Sequence, residues 1–153
     1  MTTEITIHTD GCCKGNPGRG GYAAVVRRRE GGVEVKKRVV KGSSGLTTNN
    51  QMELMAAISG LSQIRRDEQS KVIVFSDSQY LVLGMNERLM KWQKNNWRTA
   101  SGKPVKNQAH WERLLTVASG LSVEWRWVQG HSGDPLNEEA DLLANAAASC
   151  VKS

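Results

Sequence analysis

Lys71-Val72-Ile73-Val74-Phe75-Ser76-Asp77 decides how this chain is read. The run is apolar without polar alternation and rich in β-branched and aromatic residues. That pattern predicts a short strand covered on both faces, of the kind found at the centre of a parallel arrangement. Upstream, Glu4 to Asp10 alternates Ile5 and Ile7 against polar neighbours, the period of a first strand. A second strand from Gly20 or Gly21 to Arg29 and a third from Val33 to Lys41 flank Gly31-Gly32, a hairpin signal. Together they predict an antiparallel meander with Arg27, Arg29, Lys37 and Lys41 on its outer face.

Helical signals occupy the rest. Gly42 to Gly45 reads as a loop, and Thr47 or Thr48 caps a helix to about Arg66 with Leu54, Ile58, Leu61 and Ile64 on one face. Ser78 caps a helix to about Gly84, and a second short helix covers Glu87 to about Asn95. Asn95 to Asn107 reads as an exposed loop, Gln108 to Ser119 as a helix, Val123 to Val128 as a strand and Leu136 to about Cys150 as a terminal helix. Strands first, then helix–strand alternation, predict a mixed α/β fold: a five-stranded mixed sheet with helices on both faces. One domain over residues 1–153 is expected, since a chain of this length buries roughly two-thirds of its unfolded surface without staples.

Composition narrows the partners. No apolar stretch approaches the length of a membrane span, and the first residues lack the basic-then-apolar order of a secretory signal. Three cysteines, two of them adjacent (Cys12, Cys13), make no disulfide framework, so a reducing cytoplasm is expected. The net charge of +6 is clustered: Arg88, Lys91, Lys94, Arg98, Lys103 and Lys106 lie in a segment with no acidic residue, interleaved with Trp92 and Trp97. That segment is either a solvated helix face with two core tryptophans or a surface that attracts a polyanion.

Four acidic residues stand in settings unsuited to ordinary surface charge. Asp10 ends the first strand at a glycine-rich turn, Glu53 lies where a polar cluster enters an apolar helix, Asp77 ends the buried strand, and Asp141 lies in the last helix. If they converge, bare carboxylates repel one another by several kcal/mol at intermediate dielectric, so a cation must hold them. Oxygen-only ligands select Mg²⁺ or Mn²⁺ over zinc, which points to metal-assisted chemistry on phosphate.

The motifs Thr9-Asp10-Gly11 with Gly15-Asn16-Pro17-Gly18, Thr47 to Glu53, Ser76-Asp77-Ser78-Gln79-Tyr80, Trp127 to His131, and Asn137-Glu138 with Asp141 resemble bacterial ribonuclease HI, in order along essentially the whole chain. The resemblance implies a ribonuclease H-like fold and endonucleolytic cleavage of the RNA strand of an RNA/DNA hybrid, leaving 3′-hydroxyl and 5′-phosphate ends. It also implies two Mg²⁺ ions in the active complex (or Mn²⁺). Asp10 would bridge them, Glu53 and Asp77 completing one and Asp141 the other, roughly 3.5–4 Å apart. His131, between Gly130 and Ser132-Gly133, is suited to shuttle protons or loosen product beside Asp141. His8 and His110 read as structural.

Asn16, Asn49, Asn50 and Gln79 are amides flanking three of the carboxylates. They suit a ribose 2′-hydroxyl and minor-groove edges, and equally suit turns and caps. By resemblance Cys13 lies near the RNA through its backbone, and Thr48 and Asn107 match positions that hold a DNA phosphate. Trp92, Lys94, Trp97 and Arg98 would grip the DNA backbone. The chain departs from the pattern at Leu46, where many relatives carry arginine, at Arg88, where some carry tryptophan, and at Gln129, often lysine. A weaker phosphate pocket and a less basic handle are therefore expected. Two other classes stay open: a different polynucleotidyl transferase or exonuclease with the same acidic cluster, and a hybrid-binding module without catalysis. A monomer is expected.

Overall fold

The apolar run at Lys71–Ser76 lies where its composition placed it, inside a five-stranded sheet. The computed structural model describes residues 2–130 and 133–149. Its strands are β1 (Thr3–Lys14), β2 (Gly18–Glu30), β3 (Val33–Thr47), β4 (Lys71–Ser76) and β5 (Ser122–Trp127), in the spatial order β3-β2-β1-β4-β5. β1, β2 and β3 pair antiparallel, while β4 runs parallel to β1 and β5 parallel to β4. Antiparallel neighbours need only tight turns, whereas each parallel step needs a crossover carrying helix. The helices are α1 (Asn49–Leu61), α2 (Gln79–Leu83), α3 (Leu89–Lys94), α4 (Gln108–Ala118) and α5 (Pro135–Ser149).

The main core lies between α1, α4 and one face of the sheet. Ile5, Ile7, Val72 and Val74 meet Leu54, Ile58, Leu61, Trp111, Leu114 and Trp125 there. The helix face expected from Leu54, Ile58, Leu61 and Ile64 is therefore the buried one. α5 covers the opposite face over β1, β2 and β3. It can approach because β2 carries glycine there: a methyl group at Gly21 would collide with the backbone of Ala144 and Ala148.

Several boundaries differ from expectation, each for a local reason. The meander is longer: Gly42, Ser43 and Ser44, expected in a loop, pair with Tyr22, Gly21 and Gly20. Backbone pairing between small residues leaves no side-chain periodicity to read. α1 stops at Leu61, not near Arg66, because the Ser62 hydroxyl donates to the Ile58 carbonyl at 2.6 Å and closes the last turn. The two short helices after Ser78 are one continuous run, joined by a π-helical turn at Gly84–Arg88. Asn86 on this turn donates to the Trp125 carbonyl at 3.1 Å, tying it to β5.

Arg27 corrects the expectation of an outward cation. It is 2% exposed. α5 lies over it, and its guanidinium meets Glu34 at 3.0 Å and Glu139 at 2.5 Å. Glu139 also receives Lys37 at 2.7 Å, so a buried charge is paired. His8, on the same face, is 3% exposed and stacks on Phe75 with ring centroids 4.7 Å apart. Burial, aided by the Arg27 charge, pulls its pKa from 6.5 down to about 4.

The unfolded chain therefore binds a proton at His8 between these two values while the native chain does not. Stability supplied by the neutral ring is present above pH 6.5 and is lost as pH falls towards 4. His8→Phe keeps the stack and should remove on the order of 3 kcal/mol of that acid-side loss. Urea unfolding at a series of pH values checks this, with an unchanged slope counting against it.

Candidate active site

Asp10 sits on β1 just before Gly11, and Gly11 is where α1 presses closest to the sheet. A methyl group at Gly11 would collide with the backbone of Met52 and Glu53. The close approach lets the Gly11 N–H donate to Glu53 Oε1 at 2.5 Å, while the Ser76 hydroxyl donates to Oε2 at 3.4 Å. Thr48 caps α1 by accepting from the Gln51 N–H at 3.2 Å, which sets the helix start so that Glu53 points inward from its second turn. Asp77 follows the last residue of β4. The Trp127 indole donates to its carbonyl at 3.0 Å, and the Val128 N–H donates to the Ser76 carbonyl at 2.9 Å. β4 and β5 are thus clamped together beneath the carboxylate.

One oxygen from each of Asp10, Glu53 and Asp77 lies within 4.8 Å of the others. Asp141, on α5, lines the same cleft and adds to the upward push on the Asp10 carboxyl. α5 is started by Asp134, whose Oδ1 accepts from the Leu136 N–H at 3.0 Å, with Pro135 as first helical residue. Asn145, one turn after Asp141, donates to the Asp141 carbonyl at 2.9 Å and to Oδ1 at 3.2 Å. Asn145 Oδ1 in turn accepts from Lys14 Nζ at 3.0 Å. Sequence reading missed Asn145, although its i+4 spacing from Asp141 was available.

Asp10 and Glu53 are 5% and 2% exposed. Burial, and then the charge of Glu53, push the Asp10 carboxyl far above the usual range, with Asp141 and Asp77 adding to the effect. Burial and then Asp77 push Glu53 the same way, against the lowering effect of its hydrogen bonds. Without a metal, both shifts favour the protonated forms of these acids. A divalent cation supplies the same compensation, and the oxygen-only donor set fits a hard ion.

The group opens into a cleft of about 450 Å³ whose lining includes Cys13, Asn49, Asn50, Gln79 and Asn145. Four of these were expected beside substrate. Asn16 lies instead at the exposed hairpin tip, where its Oδ1 accepts from the Asn49 N–H at 2.9 Å. Thr48 and Asn107 are linked through Gln51, whose Nε2 donates to Asn107 Oδ1 at 3.2 Å. Asn107 also donates to the Tyr80 hydroxyl at 3.1 Å, as does the Trp111 indole.

Lys94 and Arg98 stand away from this lining, on α3 and the segment after it. That segment is more ordered than the loop expected. Trp97 donates to the Trp92 carbonyl, Asn95 caps the carbonyls of Arg98 and Thr99, and Arg98 pairs with Pro104. Trp92 packs edge-on against Trp111 at 5.3 Å and lies 6.4 Å from Trp97, so both rings support the base of the segment. Lys94, Arg98 and Lys103 remain exposed. His131 lies outside the described residues.

The RNase H family model matches residues 2–149. The ribonuclease H of Acidovorax sp. (strain JS42) is 50% identical over 144 residues, covering 93% of each chain. Among solved structures, LC9-RNase H1, a type 1 RNase H with the type 2 active-site motif, superposes with a TM-score of 0.85 at 33% identity, over 97% of this chain and 74% of that one. LC11-RNase H1, solved in complex with RNA/DNA hybrid, shares the fold with a TM-score of 0.70 at 22% identity, over 95% of this chain and 96% of that one.

Because the Asp10 and Glu53 pKa values are raised, their neutral forms stabilise the metal-free fold at low pH. That contribution is lost as pH rises through them. Between about pH 6 and about pH 8.5, Mg²⁺ affinity should rise and the Tm gained on adding Mg²⁺ should grow, with protons released on binding. Calorimetry in buffers of different ionisation enthalpy measures the release. Binding without proton release would refute this account of the acid pair.

Proposed function

The chain belongs to the ribonuclease H family and is a metal-dependent endoribonuclease that cleaves the RNA strand of RNA/DNA hybrids to 5′-phosphate and 3′-hydroxyl ends; we propose that it does so with Mg²⁺ held by Asp10, Glu53, Asp77 and Asp141. The observation that carries the assignment is the convergence of three carboxylate oxygens within 4.8 Å at the floor of an amide-lined cleft. Asp10, Glu53, Asp77 and Asp141 are the residues that would hold the ions. When bound, the ions supply an acidified attacking water and neutralise charge on the leaving 3′-oxygen.

The chain's own residues do the positioning. Gly11 and Ser76 hold both oxygens of Glu53, and Asn145 orients Asp141. Asn16, Asn49, Asn50 and Gln79, with the backbone at Cys13, read the RNA strand: neutral amides meet a 2′-hydroxyl without paying for a buried charge. Their presence favours a hybrid-directed enzyme over a DNA-directed relative with the same acids. Thr48 and Asn107 hold a DNA phosphate. Lys94 and Arg98 grip the DNA backbone on a frame stiffened by Trp92 and Trp97. His131 moves a proton near Asp141. The carboxylates disfavour a purely binding role, since uncompensated they repel the phosphates they face.

Residues 1–153 form one catalytic domain acting as a monomer in the cytoplasm. No helix among the described residues is long and apolar enough to cross a membrane. Cys12 and Cys13 are free thiols, in keeping with a reducing compartment.

A labelled RNA/DNA hybrid, with single-stranded RNA and duplex DNA as controls, should be cut only as hybrid and only with Mg²⁺ present. Asp10→Asn should abolish cutting while hybrid binding is kept or improved, because a negative charge is removed. Parallel loss of binding would contradict the assignment. His131→Ala should slow turnover by about 10²-fold or less and leave hybrid affinity unchanged. An unaltered rate in single-turnover kinetics would strip His131 of its role.

A further inference from the structure

Of the five tryptophans, Trp127 alone is exposed, at 47%. It ends β5 in register with Ser76, which places it beside Asp77 at the carboxylate end of the sheet. Its indole N–H donates to the Asp77 carbonyl at 3.0 Å, a bond that fixes the orientation of the ring. With Gln79, Val82 and Leu83 of α2, Trp127 lines a groove of about 260 Å³. Gln79 also lines the carboxylate cleft, so groove and cleft share a wall.

The lining combines two chemistries. Val82 belongs to the hydrophobic core, Leu83 beside it is half-buried, and the indole adds an aromatic surface open to water. The exposed Gln79 side-chain amide makes no hydrogen bond among the described residues. Apolar area left in water is area that a ligand gains by covering. A flat aromatic ring flanked by aliphatic side chains and one free amide matches a nucleobase, which has a π-face to stack and a polar edge to hydrogen-bond.

We propose that this groove is a stacking site for an unpaired nucleobase of the RNA strand, at the point where hybrid gives way to single strand. The inference rests on the reading of the cleft as the place where hybrid is cut. A base inside a duplex is stacked on its neighbours, so only an unpaired one is free to lie on Trp127. Gln79 sets the strand, because the groove continues from an amide assigned to the RNA side of the cleft. A protein segment seated here would stand over Asp77 and obstruct substrate, whereas a base delivered by the substrate obstructs nothing. Trp92 and Trp97 are packed against the core and leave this role to Trp127. Since Asp77 already holds the ring, little freedom is lost when a base arrives. Hybrids with an unpaired RNA tail beside the cut are therefore held more tightly than blunt ones.

Duplexes in which a short ribonucleotide run within a DNA strand fixes the point of cleavage test this on the full chain. Each carries an unpaired RNA extension on the 5′ or the 3′ side of the cut, made once with bases and once with abasic sugars of equal charge. On one side the base-bearing extension should lower KM about tenfold against its abasic twin, and on the other the twins should match. Trp127→Leu should make the twins equal, Leu83→Asn should narrow their difference, and Trp127→Phe should keep part of it. Any change in kcat from the lost bond to Asp77 falls on both twins and cancels in their ratio. Irradiated 5-iodouridine in the extension should cross-link to Trp127, as mapped by mass spectrometry. Matched twins on both sides in the wild type overturn the proposal, as does a difference that survives Trp127→Leu or a cross-link found at Trp92 or Trp97 instead. An equal advantage on both sides marks general affinity for single strands and overturns it too. A wild-type chain that leaves blunt hybrid uncut overturns the reading of the cleft and this inference with it. Cutting of blunt hybrid with matched twins overturns this inference alone.

Discussion

Two buried acids in contact, Asp10 and Glu53, are the constraint around which the molecule is arranged. Neither is more than 5% exposed, and like charges out of water cannot both ionise without compensation. The fold supplies part of it: the Gly11 N–H and the Ser76 hydroxyl each donate to Glu53. The remainder falls to a proton or a cation. A site that is costly when bare and relieved by a divalent ion is a site tuned to take one up, and here electrostatic strain and catalytic capacity have one source.

Holding those acids together requires elements to approach closely from both faces of the sheet. α1 reaches Asp10 because residue 11 is glycine, and α5 packs on β2 because residue 21 is glycine beneath Ala144 and Ala148. β4 brings Asp77 alongside through its parallel pairing with β1. The carboxylates therefore come from four elements that meet only in the folded chain. The buried Arg27 serves the same end from behind, anchoring Glu139 on α5 and so fixing the helix that carries Asp141.

Residues used for support and residues used for contact overlap. Thr48 is both a helix cap and a proposed phosphate ligand, and Asn107 both bonds to Gln51 and Tyr80 and starts α4. Trp92 and Trp97 are read from sequence as either core or substrate residues, and they are packed against the core while holding a basic segment outward. A side chain already fixed by its neighbours loses little freedom when substrate arrives, so such dual use favours binding.

By itself the sequence determined what short-range chemistry can encode. Alternation and apolar runs located β1, β4 and β5, caps at Thr48 and Ser78 located helix starts, and the four acids stood out by their settings. Only the tertiary structure decided the rest, because it depends on what lies opposite a residue. The extension of β3 through Gly42–Ser44 comes from backbone pairing without side-chain period, and the burial of Arg27 from a helix more than a hundred residues away. Asn145 gained its place beside Asp141 and Lys14 the same way. Local pattern specifies elements; which groups share a dry, low-dielectric space is settled only when those elements pack.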